Sequence, residues 1–149
     1  MSLKAKLIEK TTLVIQTRIQ SINAELKKIQ EDANSETKSS MGDKYETGRA
    51  MAQNEKIKLN QNKIQFLRHL ETLNKVSYTT NNTIDFGSVV HTNQMNIFLC
   101  TSIGELTVKD QKYFTLSPIT PIAKQLIGLN EGSKFTFNNQ EWEIQMVEN

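Results

Sequence analysis

The apolar residues of the N-terminal half recur with the period of a helix. From Ile15 onward they stand alternately four and three positions apart, at Ile15, Ile19, Ile22, Leu26, Ile29 and Ala33. Such a stripe is typical of a helix that buries one narrow face against another helix. Mostly polar residues fill the positions between, and neither proline nor glycine interrupts residues 3–41. The pattern therefore predicts a long first helix.

A second, looser stripe of the same period follows, at Ala52, Leu59, Phe66, Leu70 and Leu73, with Ile57, Ile64 and Leu67 beside it. Lys56 and Lys63 occupy two positions at which the period predicts apolar residues. Because neither helix could bury its stripe alone, we expect an antiparallel hairpin of two helices over residues 1–77, with its tip near residues 34–48. Arms of about 30 residues at about 1.5 Å per residue would be about 45 Å long.

The C-terminal half changes to a period of two from about Ile84 onward. The stretches "KFTF" (134–137) and "EWEIQMV" (141–147) alternate on either side of "NNQ", which predicts a β-hairpin. Further strand candidates are "MNIFLC" (95–100) and "ELTV" (105–108), with a break at Gly104. The aromatic and aliphatic residues expected in the core of this domain include Phe135, Phe137, Trp142 and Ile144.

One short helix is predicted among these strands, in "TPIAKQLIG" (120–128). Thr120 can serve as its N-cap, Pro121 takes the first helical position, and Gly128 is placed to end it. Residues 78–83, which begin with the polar stretch "YTTNN", form the natural linker. The predicted fold class is thus α+β: a helical hairpin, a linker, and a small, mainly β domain over residues 84–149.

Composition narrows the class of protein further. A single cysteine, Cys100, excludes an internal disulfide, and with His69 and His91 as the only histidines the sequence does not favour a Cys/His zinc site. We expect Cys100 to be a small buried hydrophobe and His69 to be structural or solvated. No apolar run approaches the roughly 20 residues of a membrane helix, and the N-terminus lacks a signal-peptide core. These features predict a cytoplasmic protein without a membrane partner.

The charge is distributed unevenly along the chain. Residues 1–83 carry a balance of +5 and residues 84–149 a balance of −3, which suggests two units with different partners. The lysines of the first part, among them Lys27 and Lys28, alternate with acidic residues. They therefore predict a solvated helical surface rather than a nucleic-acid site.

Five stretches carry a resemblance to a known family: "GDKYET" (42–47), "IDFGSVV" (84–90), "LSPITPIAKQLIGL" (116–129), Gly132 and "WEI" (142–144). In their order and spacing they resemble the bacterial Gre transcript-cleavage factors, GreA and GreB. Thr120–Pro121 stands where the family typically has Ser-Pro, which retains the helix-capping chemistry.

The resemblance implies both a fold and a partner. Gre factors have an N-terminal coiled coil and an FKBP-like C-terminal domain. The C-terminal domain docks on RNA polymerase at the mouth of its secondary channel, so Ser117, Thr120 and Pro121 are expected near that interface. The coiled coil reaches down the channel towards the RNA 3′ end of a backtracked complex. The protein would be a monomer without a catalytic centre of its own, and would stimulate the nuclease activity of the polymerase.

The resemblance also assigns the tip acids. Asp43 and Glu46 would help to hold a second Mg²⁺ and a water at the polymerase active site, and this shared ion would be the only cofactor. Two carboxylates suffice if the polymerase supplies the remaining ligands. Lys44, Tyr45 and Arg49 would be tip contacts, with Lys44 and Arg49 placed to meet phosphates.

Other interpretations stay open at this point. The spacing of Asp43 and Glu46 is also that of a capping box. The tip departs from the family pattern at Thr47 and in "GRAM" (48–51), so a regulator that occupies the channel without promoting cleavage is an alternative. A stand-alone prolyl isomerase on an FKBP-like fold and a hairpin that only dimerises are functions of other classes.

Overall fold

The computed structural model describes residues 1–36 and 42–149, and the side chains of residues 1–34 and 47–149. In chain order the elements are α1 (Leu3–Glu36), α2 (Gly42–Leu73), β1 (Val89–Thr92), β2 (Asn96–Leu99), β3 (Gly104–Val108), β4 (Gln111–Leu116), α3 (Pro121–Leu126), β5 (Lys134–Phe137) and β6 (Gln140–Glu148). The predicted fold class is confirmed: long N-terminal helices precede a β domain with one short helix.

The two long helices run in opposite directions. Lys56 Nζ of α2 donates a hydrogen bond to Gln30 Oε1 of α1. Lys4 Nζ, near the start of α1, donates to the Ser77 carbonyl just after α2 at 2.6 Å. Late residues of one helix thus meet early residues of the other, as the predicted hairpin requires. None of the helices in the described ranges is long and apolar enough to cross a membrane.

The strands form one sheet in the order β3-β4-β2-β1-β6-β5. Neighbouring strands are antiparallel except β2 and β4, which are parallel. The predicted hairpin is confirmed as β5 and β6, with Phe135 opposite Trp142. Its turn residues, Asn138 (φ 52°) and Asn139 (φ 63°), both lie in the left-handed region. Asparagine tolerates this region better than most residues, which suits a two-residue hairpin turn.

Two strands, β1 and β4, do not stand out in the sequence. Strand β1 lies in the middle of the sheet between β2 and β6, and its residues Val89, Val90 and Thr92 are all buried. A strand covered on both faces does not alternate between apolar and polar residues, so the period of two is hidden. The break expected at Gly104 is the first residue of β3.

The core of the β domain combines the sheet with α3. Ala123 and Leu126 of α3 are fully buried in the same cluster as Ile97, Trp142 and Ile144. Phe135 and Phe137 pack against this cluster from β5. The predicted core residues therefore share one face of the hairpin, and that face holds α3 against the sheet.

The chain divides into two compact units, one comprising Val14–Arg68 and the other comprising Met1–Leu13 with His69–Asn149. The start of α1 and the end of α2 thus belong to the unit that contains the sheet. The predicted domain boundaries, 1–77, 78–83 and 84–149, were placed at the expected ends of the helical hairpin and of the linker. They stay a prediction.

Candidate functional site

The three residues expected at a docking interface, Ser117, Thr120 and Pro121, lie in one turn between β4 and α3. We call residues 117–121 the α3 turn. The Ser117 backbone N–H donates to Ser102 Oγ at 2.8 Å, and the Thr120 N–H donates to the Ser117 carbonyl at 3.1 Å. These bonds hold both ends of the turn.

The expected capping role of Thr120 is only partly right. Thr120 stands at the N-cap position with an extended backbone, and Pro121 opens the helix, as predicted. Its hydroxyl, however, makes no cap hydrogen bond. It donates to the Ser117 carbonyl at 2.8 Å instead. The side chain therefore stabilises the preceding turn rather than the helix N-terminus.

One exposed residue of the α3 turn was not among the predicted site residues. The Ile119 side chain is 78% exposed, and its backbone N–H lies 3.4 Å from the Ser117 hydroxyl. Single exposed apolar side chains are common on protein surfaces, so Ile119 by itself does not mark an interface. The signal was available, since an isoleucine between Pro118 and Thr120 is out of place in an ordinary polar turn.

Stretches that carry the resemblance meet beyond the C-terminal end of α3. Ile84 donates its N–H to the Leu129 carbonyl and accepts from the Gly128 N–H, both at 2.9 Å. The Gly132 N–H donates to the Ile144 carbonyl at 2.7 Å. These bonds join the first stretch to the end of the α3 stretch and Gly132 to the last stretch, and Val89 and Val90 pair with β6, which contains that last stretch. Gly128, which ends α3 with φ +93°, is the residue that lets the chain turn back towards Ile84.

The predicted tip is described only as backbone. Helix α2 begins at Gly42, so Asp43 and Glu46 belong to its first turn. The side chains of four predicted tip residues lie outside the described part of the chain: Asp43, Lys44, Tyr45 and Glu46. Both the capping and the metal interpretation of the acids therefore stay predictions. Arg49, the remaining tip residue, is exposed on α2.

The lysines of the two helices occupy different environments. Lys27 and Lys28 are exposed, in agreement with a solvated surface. Lys56 and Lys63 are half-buried in the stripe of α2, where the period predicts apolar residues. The hydrogen bond from Lys56 to Gln30 shows how one of them is accommodated. A lysine can cover apolar surface with its aliphatic stem while its ammonium reaches a polar partner, which suits this position.

The remaining ionisable candidates have structural roles. His69 Nδ1 is hydrogen-bonded to the Thr101 hydroxyl, which joins the end of α2 to the sheet. Cys100 is fully buried, and burial raises the pKa of its thiol to about 12, so it is no nucleophile. Among the side chains that the structure describes, no group of three His, Cys, Asp or Glu residues comes together as a metal site.

No protein-family model matches the chain, and no curated protein matches it. Two crystal structures have a weak likeness to it. The GreA factor homolog 1 (Gfh1) protein of Thermus thermophilus is 14% identical, with a TM-score of 0.36 over 88% of this chain and 94% of that one. Gfh1 of Thermus aquaticus is 15% identical, with a TM-score of 0.35 over 87% and 93%. At these values the likeness does not assign the chain to a family.

Proposed function

We propose that the protein is a transcription elongation factor that binds RNA polymerase through its secondary channel and stimulates cleavage of backtracked RNA. The observation that carries this proposal is the framework in which "IDFGSVV", the α3 stretch, Gly132 and "WEI" are joined by backbone hydrogen bonds. These are the stretches whose order and spacing resemble the Gre factors. The residues that carry the resemblance therefore also form turns and core positions of one domain.

The proposal divides the work between the two parts of the chain. The β domain would dock on the polymerase through the α3 turn, where Ile119 offers apolar contact area and the hydrogen bonds of Ser117 keep the turn in shape. A preorganised turn loses little conformational entropy on binding. The antiparallel helices α1 and α2 would carry the start of α2 into the channel.

The donor chemistry of the tip fits a magnesium ion. Asp43 and Glu46 are three residues apart in the first turn of α2, and residues at this spacing lie on the same side of a helix. Mg²⁺ favours hard carboxylate oxygens and is commonly held by only one or two of them. When bound there, the ion would supply charge stabilisation for hydrolysis of the phosphodiester bond. This chain would contribute the two carboxylates and their orientation, and the polymerase would contribute the reacting RNA.

The test is a stalled, backtracked elongation complex with labelled RNA, to which the purified protein is added with magnesium. The proposal predicts that the RNA is shortened from its 3′ end much faster than in the absence of the protein. Unchanged RNA together with normal binding to the polymerase would instead support a regulator that occupies the channel without promoting cleavage. Unchanged RNA without binding would contradict both functions.

The tip acids are tested by Asp43→Asn and Glu46→Gln. Each amide keeps the shape of the side chain but removes a charge and a ligand oxygen, so cleavage should fall by about tenfold or more while binding to the polymerase persists. The double variant should be little worse than the stronger single one, because the two residues act on one ion. Glu55→Gln, an exposed position further along α2, is the matched control and should cleave like the parent. If Asp43 and Glu46 only cap the helix, both single variants and the double variant should cleave RNA like the parent.

A further inference from the structure

A cleft of about 400 Å³ lies between the start of α1 and the turn that joins β3 to β4. Its lining residues are Lys6, Glu9, Lys10, Leu13, Val108 and Lys109. All of them belong to the unit of Met1–Leu13 and His69–Asn149. The cleft shares no residue with the α3 turn or with the predicted tip, so neither of those sites accounts for it.

The rim of the cleft is cationic. Lys109 occupies the left-handed turn after β3 (φ 51°) and lines the cleft together with Lys6 of α1. The neighbouring Lys109 lowers the pKa of Lys6, because repulsion between two like charges disfavours the charged form. A carboxylate placed between the two ammonium groups would offset this repulsion, so the pair favours an anionic occupant.

The other charges of the neighbourhood show that this pair is distinct. Lys10 Nζ donates to the Thr107 carbonyl, so it is partly committed to β3. Lys112, on the next strand, forms an ion pair with Glu105 at 3.6 Å and does not line the cleft. Lys6 and Lys109 are therefore the cations of this region best placed to meet an external carboxylate.

The walls of the cleft are partly apolar. Leu13 is 60% exposed although it lies on α1 beside the sheet-containing part of the chain, and Val108 closes the opposite side. A small inorganic anion would gain nothing from Leu13. An occupant with an apolar side chain would gain roughly 25 cal/mol for each Å² of apolar surface that it covers.

The charge of the whole unit argues against a nucleic acid as the occupant. The unit contains 8 lysines against 9 acidic residues, a net charge of −1, and Glu9 lines the cleft itself. A polyanion needs a basic surface that extends along its backbone. Here the positive charge is local, and it matches a short acidic segment that carries an apolar residue.

We propose that this cleft binds an acidic segment of a partner protein, with carboxylates at Lys6 and Lys109 and one apolar side chain against Leu13 and Val108. The proposal does not depend on the function proposed above, because it concerns other residues and is tested without polymerase. It adds a second interaction surface to the unit that contains the sheet.

The test uses the full chain and a capped peptide in which a single leucine is flanked by glutamates. In a titration followed by amide NMR, the signals of Leu13, Val108 and Lys109 should shift. The pair Lys6→Gln with Lys109→Asn should weaken binding by about tenfold or more, since it removes both cations. Asparagine is chosen at residue 109 because it tolerates the left-handed turn. Leu13→Ser should weaken binding of the leucine peptide. The affinity should fall to the value that the parent protein has for a peptide with serine in place of the leucine.

The matched control is the pair Lys124→Gln with Lys134→Gln, which lowers the net charge of the same unit equally at exposed positions away from the cleft. It should bind the peptide like the parent, and circular dichroism should show all variants folded. If the control pair weakened binding equally, the loss of affinity would reflect the net charge of the protein rather than this cleft, and the proposal would be overturned. Absence of binding by the parent, or equal binding of inorganic phosphate at the same signals, would also overturn it.

Discussion

The Lys4 ammonium donates a hydrogen bond of 2.6 Å to the backbone carbonyl of Ser77, across 73 positions of sequence. The lysine is 1% exposed, and its Nζ also lies 4.8 Å from the centre of the Tyr78 ring. A buried charge is costly unless it is satisfied, and here a carbonyl and an aromatic face satisfy it. This contact ties the start of α1 to the segment that follows α2.

We expect Lys4→Ala to lower the free energy of unfolding by about 2 kcal/mol, because it removes both the packed stem and the hydrogen bond. Lys4→Met keeps an unbranched chain of similar length and should lose about 1 kcal/mol. Urea unfolding followed by circular dichroism measures both. A methionine variant at least as stable as the parent would contradict this expectation. It would show that the free energy of burying the ammonium exceeds the stabilisation from its contacts.

An alanine at Gly87 should be destabilising. The φ of Gly87 is +88°, and an added Cβ would lie 3.1 Å from Val76 Cγ1, a tight contact, whereas Lys4 Nζ at 3.6 Å is at an ordinary van der Waals distance. Gly87→Ala should therefore cost about 2 kcal/mol, from backbone strain and crowding together. Gly132→Ala is the matched control, because its φ is +86° but nothing lies within 4 Å of the added Cβ. Equal losses in the two variants would assign the whole effect to strain.

His91 should make stability depend on pH. Burial lowers its pKa below the usual 6.5, although Glu148 and a hydrogen bond with Asn96 act in the opposite direction. Below pH 6.5 the unfolded chain takes up a proton that the folded state resists. The free energy of unfolding should thus fall as the pH drops from 6.5 towards the folded pKa, by at most about 1.4 kcal/mol per pH unit. Above pH 6.5 His91 should contribute no further pH dependence.

The measurement is urea unfolding at several pH values between about 5.5 and 7.5, above the range in which ordinary carboxylates titrate. His91→Gln should reduce the slope, because it removes the group whose pKa is lowered by burial. A slope that persists undiminished in the His91 variant would assign the pH dependence to another group.

Ile119 should contribute to polymerase binding if the proposed function is right. Ile119→Ser removes an apolar side chain that is 78% exposed, so it should leave the stability of the fold nearly unchanged. Affinity for core polymerase, measured by fluorescence anisotropy of the labelled protein, should fall by about tenfold. Met146→Ser, at a 44% exposed position on β6, is the control. Parent-like affinity of the Ile119 variant would move the docking surface away from the α3 turn.

Several features of the fold follow from the sequence alone because they depend on local rules. The alternating four- and three-residue steps from Ile15 specify a helix with one inward-facing stripe. In α1, Ile15 and Ile22 of this stripe are buried and the other members are half-buried. The stretch "NNQ" between alternating segments specifies a hairpin turn, which the structure narrows to Asn138 and Asn139 because Gln140 already belongs to β6. Pro121 and Gly128 delimit α3 because one fits the first helical position and the other adopts a positive φ. Neighbours in sequence supply all of these signals.

Other features were decided only by tertiary structure. Strands β2 and β4 pair in parallel, and no short-range pattern specifies a partner brought in from elsewhere in the chain. Lys4 is buried because Ser77 and Tyr78 come back to it, which its position on a polar helix does not reveal. The Thr120 hydroxyl does not cap α3, because it donates its hydrogen bond to the Ser117 carbonyl. The cleft between Lys6 and Lys109 likewise exists only where α1 meets the β3–β4 turn, because its charges lie more than a hundred residues apart.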